Sequence, residues 1–265
     1  MKSLRSILLW TTGTLFFAFT FLVLSVGLFV MSRERVFALA RRLFAIQTRI
    51  MGIRLQVTGR EHIDPARTYL IMGNHQSLFD LFVIPSALPG IYTAVEAAYH
   101  FSIPLWGSLI TRWGCIPIHR RNLEKAKESL AIARKRLGEG LSIIILPEGH
   151  RTRTGRMGEF KKGPFHLARQ AGADILPFAI RGLFDYNAKG AFHLNPKPVS
   201  VAIGPPLPFE TFAGMTPEEL RDHVRGVIAE LAEEERNESV NVVALKNDGC
   251  RSASQHRITY LVRSH

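Results

Sequence analysis

The longest uncharged stretch of the sequence constrains its N-terminal part most strongly. Between Ile7 and Met31 the chain has 25 consecutive residues without a charged side chain, rich in Leu, Phe and Val. A helix of that length extends about 37 Å, enough to cross a hydrocarbon core of about 30 Å with some tilt. The run also exceeds the roughly 7–15 apolar residues of a signal peptide, and no small-x-small cleavage site follows it directly. We expect an uncleaved membrane helix, which either spans the bilayer or re-enters it.

Positive charges are concentrated after this run. Only Lys2 and Arg5 precede it, and six arginines follow it closely: Arg33, Arg35, Arg41, Arg42, Arg49 and Arg54. The positive-inside rule therefore predicts that the residues after the run face the cytoplasm, and we expect the helix to lie in the inner (cytoplasmic) membrane. Residues 36–53 alternate arginines with large apolar residues, which favours a second, interfacial helix on anionic lipid. We assign residues 1–54 to this anchor and basic interfacial helix.

The overall composition favours phosphate-bearing partners. Lys and Arg number 34 against 22 Asp and Glu, a formal net charge of +12. Such a balance suits an anionic membrane surface, phosphorylated substrates or nucleic acid. The chain has no RNP, zinc-finger or helix-turn-helix signature, so we expect membrane lipid and no nucleic acid as partner. Cys115 and Cys250 show neither metal spacing nor a disulfide framework, which fits a reducing compartment.

The residues after the anchor predict one α/β domain, residues 55–236. Helical patterns separate several short apolar runs that we expect to be strands of a central, mostly internal β-sheet flanked by helices. The six runs are Ile53–Val57, Tyr69–Met72, Cys115–Ile118, Ser142–Leu146, Ile175–Ile180 and Val199–Ile203.

Helix signals lie between and after these runs. An apolar stripe at Leu123, Ala126, Leu130, Ala133 and Leu137 predicts a helix with Asn122 as N-cap and Gly138 as its end. Residues 216–219, Thr-Pro-Glu-Glu, form a capping box for a last helix. The polar, aperiodic residues 237–265 are expected to be a loosely ordered tail.

A polar cluster interrupts two apolar segments at residues 74–80, Asn-His-Gln-Ser-Leu-Phe-Asp. If His75 lies on the loop and Asp80 in the first turn of a helix, the carboxylate fixes the imidazole tautomer and leaves one nitrogen to accept a proton. This is a general-base pair without a protein nucleophile, since no G-x-S-x-G motif surrounds Ser77. The alternative is a helix-capping Asn or Ser beside a structural His.

A second polar cluster, Pro-Glu-Gly-His-Arg at residues 147–151, follows an apolar run. Together with residues 74–80 it makes the chain resemble the glycerolipid acyltransferases, in particular the 1-acyl-glycerol-3-phosphate acyltransferases. The other two blocks of that family are matched at residues 114–120, Gly-Cys-Ile-Pro-Ile-His-Arg, and 175–180, Ile-Leu-Pro-Phe-Ala-Ile. The resemblance covers roughly residues 55–210. His150 replaces a usually small residue, and Pro117 lies inside the second block.

The resemblance implies transfer of a fatty acyl group from acyl-CoA or acyl carrier protein, as co-substrate, to the sn-2 hydroxyl of 1-acyl-sn-glycerol 3-phosphate. The product would be phosphatidic acid. His75 would be the general base and Asp80 would orient it. No other cofactor is implied, and we assign no metal because the pair lacks a third ligand at a recognisable spacing.

The resemblance also implies a phosphate site and supporting positions. Phosphate would be bound by the arginine forks of Arg120 and Arg151, with Glu148 and Gly149 shaping the loop between them. Lys161 and Lys162 precede a predicted helix whose N–H groups suit an anion; they are otherwise a solvated charged loop. Supporting motif positions are Asn74, Ser77, Gly114, Pro147 and Pro177. Oxyanion donors are expected among the backbone N–H groups of residues 73–77 or Gly149.

Two other functions remain open. The same chemistry on another lysophospholipid or a lyso-amino lipid is suggested by His150 and by the basic loop 151–156. A catalytically silent scaffold that binds anionic lipid would also use the arginines, but would not require the His75 and Asp80 pair.

Overall fold

The computed structural model describes residues 1–119 and 123–233, and Met1–Ala232 form one compact unit. The described chain contains a seven-stranded sheet with helices on both faces. The strands are β1 Arg54–Thr58, β2 Tyr69–Gly73, β3 Tyr92–Ala97, β4 Ile116–Ile118, β5 Ser142–Ile145, β6 Asp174–Arg181 and β7 Pro198–Ile203. The helices are α1 Lys2–Val30, α2 Arg33–Ile50, α3 Asp80–Ala87, α4 Trp106–Trp113, α5 Leu123–Gly138, α6 Gly163–Ala171, α7 Leu183–Tyr186, α8 Phe209–Phe212 and α9, 217–233.

The strand order is β1-β7-β6-β2-β5-β3-β4. The strands β6, β2, β5, β3 and β4 run parallel, whereas β7 pairs antiparallel with β6 and β1 runs parallel to β7. The central strands β2 and β5 are buried along their whole length, as parallel strands covered on both faces require. The carboxyl ends of β2, β5 and β6 meet at one edge, where ligands bind in open α/β sheets.

The predicted α/β class and internal sheet are confirmed, and all six predicted strands are present within two residues at each end. The strand β3 was not predicted, because its sequence, Tyr-Thr-Ala-Val-Glu-Ala, has no continuous apolar run. The helix α5 ends at the expected Gly138, whereas its predicted cap, Asn122, lies outside the described residues. The predicted tail 237–265 also lies outside them.

The capping box forms as expected. The backbone N–H of Thr216 donates to Glu219 Oε2 over 2.7 Å, and the N–H of Glu219 donates back to Thr216 Oγ1 over 3.2 Å. The cap orients α9 so that Leu220, Val224 and Ile228 are fully buried on the α6 side of the sheet. The opposite face of the sheet is covered by α1, α2 and α3.

The N-terminal helix α1 faces the protein with its small and polar residues. The buried residues of α1 are the small or polar Ser6, Gly13, Thr20 and Gly27, together with the apolar Leu24. Its exposed large apolar residues are Leu4, Ile7, Leu8, Leu15, Phe19, Leu22, Val26, Phe29 and Val30. This distribution is the reverse of a water-facing amphipathic helix. Among the described residues α1 is the one helix long and apolar enough to cross a membrane.

Contacts hold α1 to the rest of the unit along its length. Near its start, Trp10 Nε1 donates to the carbonyl of Phe192 over 2.8 Å. Near the middle of α1, Gln47 of α2 donates to the carbonyl of Gly13 over 3.0 Å. Near the end of α1, the guanidinium of Arg112 lies 3.9 Å from the centroid of the Phe29 ring. Residues 1–54 therefore pack onto the rest of the compact unit Met1–Ala232.

Candidate active site

The His75 and Asp80 pair lies where β2 ends and α3 begins. Asp80 is the first residue of α3, and the intervening loop brings His75 Nδ1 to 2.5 Å from Asp80 Oδ2. The Asp80 side chain is 3% exposed, whereas that of His75 is 25% exposed. The buried carboxylate can therefore fix the tautomer of an imidazole that substrate can reach.

Two further donors fix the Asp80 carboxylate. The backbone N–H of Gln76 donates to Oδ2 over 2.9 Å, and that of Ser77 donates to Oδ1 over 3.3 Å. Because backbone N–H groups of the loop donate to the Asp80 carboxylate, the loop is fixed to the first turn of α3. An acidic residue in the first turn is also favoured by the helix dipole.

Glu148 connects this loop to the loop after β5. Its Oε1 accepts the N–H of His75 and its Oε2 accepts the N–H of Gly158, both over 2.7 Å. Glu148 is buried, which raises the pKa of its carboxyl above the ordinary value, although the two N–H donors oppose this shift. Glu148 thus fixes two backbone segments by accepting one N–H group with each carboxylate oxygen.

The remaining polar residues of the loop 74–80 are all hydrogen-bonded to β6 or to the segment that follows it. Asn74 Nδ2 donates to the Ile180 carbonyl over 2.9 Å, and the N–H of Ile180 donates back to Asn74 Oδ1 over 2.7 Å. Gln76 Oε1 accepts the N–H groups of Leu183 and Phe184, and Ser77 Oγ donates to the Asn187 carbonyl over 2.9 Å. Ser77 is fully buried, so its hydroxyl holds the loop rather than facing substrate.

Arg151 is placed beside the histidine by its neighbour. The N–H of Thr152 donates to the carbonyl of His75 over 2.8 Å. The Thr152 hydroxyl in turn closes the loop by donating to the Arg156 carbonyl over 2.7 Å. The half-buried Arg151 has no hydrogen-bond or ion-pair partner within residues 1–119 and 123–233, so its guanidinium can receive an anion.

The other predicted cationic residues differ from Arg151. Arg120 lies outside the described residues. Lys161 and Lys162 are exposed and precede α6, as predicted, and Lys162 forms an ion pair with Glu218 over 2.5 Å. A role of these three residues in phosphate binding stays a prediction.

The supporting motif residues occupy structural positions. Gly114 ends α4 in the left-handed conformation, with φ of 91°. The carbonyls of Pro147 and Pro177 accept the N–H groups of Lys161 and Gly204 over 2.8 and 2.9 Å, so both prolines fix loops at the sheet edge.

The expected oxyanion donors are largely occupied. The N–H groups of His75, Gln76 and Ser77 donate to Glu148 and Asp80, and that of Gly149 donates to the Leu146 carbonyl over 3.0 Å. In contrast, the N–H groups of His150 and Arg151 have no acceptor in the part of the chain that the structure describes. They follow Gly149, whose φ of 74° turns the chain back beside His75.

The aromatic residues near the site pack as core. Phe79 lies edge-on to Tyr186, with centroids 4.9 Å apart, and 5.6 Å from Trp10. Trp106 contacts Phe17, and Trp113 contacts a ring of α2. These rings therefore form part of the core between the N-terminal helices and the rest of the unit.

The structure adds three residues that the sequence patterns did not single out for the site. Gln76 caps α7, Thr152 closes the loop beside His75, and Gly158 donates to Glu148. A Cβ at Gly158 would lie 3.0 Å from Glu148 Oε2, which explains a glycine there. Within residues 1–119 and 123–233, no three His, Cys, Asp or Glu side chains are arranged to hold a metal ion.

Comparison with known proteins agrees with these features. The sequence model of the acyltransferase family, "Acyltransferase", matches residues 54–181. Human 1-acyl-sn-glycerol-3-phosphate acyltransferase alpha is 32% identical over 179 residues, which cover 65% of this chain and 62% of the relative. The 1-acyl-sn-glycerol-3-phosphate acyltransferase of Limnanthes douglasii is 35% identical over 156 residues, covering 58% of this chain and 55% of the relative. The chain thus spans less than two thirds of either relative.

A solved structure shares the fold. The crystal structure of the 1-acyl-sn-glycerophosphate (LPA) acyltransferase PlsC from Thermotoga maritima superposes with a TM-score of 0.77 at 24% identity, covering 89% of this chain and 96% of that one. The motif order, the arrangement of His75 and Asp80 at the sheet edge and the sequence relatives agree: residues 54–181 match the acyltransferase family model, and the chain is similar to the glycerolipid acyltransferases.

Proposed function

We propose that the protein is a 1-acylglycerol-3-phosphate O-acyltransferase that transfers a fatty acyl group from acyl-CoA or acyl carrier protein to the sn-2 hydroxyl of lysophosphatidic acid. The observation that carries the proposal is the contact of His75 Nδ1 with the buried Asp80 carboxylate, which leaves Nε2 of a partly exposed imidazole for substrate. The names and sequences of the relatives support the same reaction.

In this mechanism Nε2 of His75 accepts the proton of the acceptor hydroxyl as its oxygen attacks the thioester carbonyl. The C–O bond forms, the C–S bond breaks, and the proton passes from the imidazolium to the leaving thiolate. Asp80 stabilises the imidazolium while it exists. Positioned proton transfer of this kind contributes roughly 10²- to 10⁴-fold in rate.

The negative charges of the substrates would be received by the loop 147–152. The Arg151 guanidinium is proposed to bind the acceptor phosphate, together with Arg120. The N–H groups of His150 and Arg151 are proposed to stabilise the oxyanion of the tetrahedral intermediate. Support comes from the Thr152 and Glu148 hydrogen bonds, which tie this loop to both sides of His75.

We further propose that the helix pair rests in one leaflet on the cytoplasmic side of the membrane. The contacts of α1 along its length, combined with an outward stripe of large apolar residues, support this arrangement over a helix that leaves the domain. Cysteines introduced at Ser3 and Ser32, in a Cys115→Ser, Cys250→Ser background, should label with an impermeant maleimide from the same side. Labelling from opposite sides would show a spanning helix.

The reaction is tested by CoA release from a long-chain acyl-CoA with lysophosphatidic acid in mixed micelles, with acylated carrier protein as a second donor. We expect turnover with at least one donor. An acceptor panel with other lysophospholipids and a lyso-amino lipid should rank lysophosphatidic acid first by kcat/KM. Failure of both donors with every acceptor would contradict the acyltransferase proposal and favour a lipid-binding scaffold.

A further inference from the structure

A basic cavity lies on the α2 side of the sheet, away from His75. Its volume is about 640 Å³, and it opens between the C-terminal turn of α2, the strand β1 and the end of α3. Three arginines line it: Arg49, Arg54 and Arg60. The sheet order separates β1 from β2 by two strands, about 14 Å at the usual strand spacing, so the cavity is distinct from the active site.

One of the three arginines, Arg60, is held by hydrogen bonds to the described backbone, whereas Arg49 and Arg54 are not. Arg60 donates from Nε and Nη2 to the carbonyls of Ala87 and Ser86 over 3.1 and 3.2 Å, which leaves three of its five N–H bonds for a ligand. Arg49 and Arg54 are exposed and have no ion-pair or hydrogen-bond partner in the described chain. Three guanidinium groups around one space suit an anion with several oxygens.

The other lining groups do not oppose an anion. Among the described residues, no Asp or Glu lines the cavity. The hydroxyls of Thr48 and Ser86, which do line it, already donate to the carbonyls of Ala45 and Phe82 over 2.8 and 2.6 Å. Recognition therefore depends on the arginines, whose planar forks match phosphate oxygens.

An apolar hollow adjoins the cavity. It has a volume of about 610 Å³ and is lined by Ile50 of α2 and by residues 8–16 of α1, including Leu8, Leu15 and Phe16. Arg49 lines the cavity and the next residue, Ile50, lines the hollow, so the last turn of α2 contributes to both. The hollow also continues into the outward apolar stripe of α1, where Leu8 and Leu15 are more than 60% exposed.

We propose that this surface is a second phospholipid site, in which the phosphate of an anionic membrane lipid binds Arg49, Arg54 and Arg60 while its acyl chains lie along α1. The adjacent apolar hollow identifies the source of the phosphate as a bilayer lipid rather than a soluble anion. The site neither uses nor requires the acyltransferase reaction. Its consequence is a fixed contact between α2 and the headgroup layer, which sets the depth of the helix pair.

The test measures the thermal midpoint of the full chain in nonionic detergent micelles while dioleoyl phosphatidylglycerol is added. A bound ligand raises the midpoint in a saturable way. The variant R49Q/R54Q should need at least about tenfold more lipid for half of the wild-type shift, since two charge-assisted hydrogen bonds are lost. The matched control R35Q/R42Q removes the same charge from the exposed part of α2 outside the cavity and should stay within about twofold, as expected for surface charges.

Two results would overturn the proposal. Equal losses in R49Q/R54Q and R35Q/R42Q would show diffuse attraction to the helix instead of a site. The same midpoint shift with inorganic phosphate at equal concentration would show a soluble-anion site. Circular dichroism of both variants without added lipid serves as the folding control.

Discussion

Replacing Glu148 by Gln tests whether one buried carboxylate holds the loop of His75 in place. The carboxylate accepts two backbone N–H groups, from His75 and Gly158, each over 2.7 Å. A glutamine retains one acceptor oxygen but presents an NH₂ group to the other N–H. One of the two backbone donors would therefore face another donor in a buried site.

The cost follows from these contacts. A buried N–H left without an acceptor costs about 1–3 kcal/mol, and a hydrogen bond to a charged group contributes about 1.5–3 kcal/mol. Part of this cost is offset because the variant no longer buries a charged group. The raised pKa of Glu148 shows that burial disfavours its charged form. We expect Glu148→Gln to destabilise the protein by about 1–3 kcal/mol, which lowers Tm by roughly 2–10 °C for a unit of this size.

Thermal unfolding and CoA release should be measured together. The matched control is Glu159→Gln, an exposed carboxylate in the same loop, which should behave like the wild type. In Glu148→Gln, kcat should fall at temperatures where the variant is still folded, because the backbone of His75 has lost its fixed position. If Glu148→Gln and Glu159→Gln were equally stable and active, the assigned role of the carboxylate would be wrong.

Three further outcomes are expected. Thr216→Ala should lower stability by about 1 kcal/mol through loss of the cap shared with Glu219, without changing CoA release per folded molecule; an unchanged Tm would contradict the cap. Gly73→Ala should destabilise by about 1–3 kcal/mol and lower kcat, because its Cβ would lie 2.4 Å from the Phe178 ring; wild-type Tm would refute this packing. Folding raises the pKa of the Glu148 carboxyl, so the folded protein binds this proton more tightly than the unfolded chain does. Glu148 therefore contributes to the free energy of unfolding below the ordinary carboxyl pKa, and this contribution is lost as the pH rises through the pKa of Glu148 in the folded protein. The difference in Tm between wild type and Glu148→Gln should therefore be larger at pH 4.5 than at pH 7, and a difference independent of pH would refute the shift.

The elements that position the site were predictable because their signals are local. The apolar runs of β2 and β5, the polar residues that follow them, and the capping box of α9 each depend on neighbours within a few residues. The contact between His75 and Asp80 belongs to the same class, since a loop and one helical turn bring the two together. Short-range geometry therefore sufficed to predict the contact between His75 and Asp80.

The contacts that hold the site together were not predictable, because they join distant parts of the chain. The bond from His75 to Glu148 links residues 73 positions apart, and that from Asn74 to Ile180 links residues 106 apart. The strand β3 was missed because its strand character depends on pairing with β4 and β5. The position of α1 depends likewise on tertiary contacts, so hydropathy alone left spanning and re-entry open.

The most direct test of the base assignment compares two histidines that each contact a carboxylate. His75 Nδ1 lies 2.5 Å from Asp80 at the active site, whereas His100 Nδ1 lies 2.7 Å from Glu96 Oε2, with side chains 30% and 27% exposed. CoA release should be measured for the wild type, His75→Ala and His100→Ala with the donor that the wild type uses. We predict that kcat/KM falls by roughly 10²-fold or more in His75→Ala and stays within about threefold of wild type in His100→Ala. Equal activity of the two variants would contradict the role of His75 as general base.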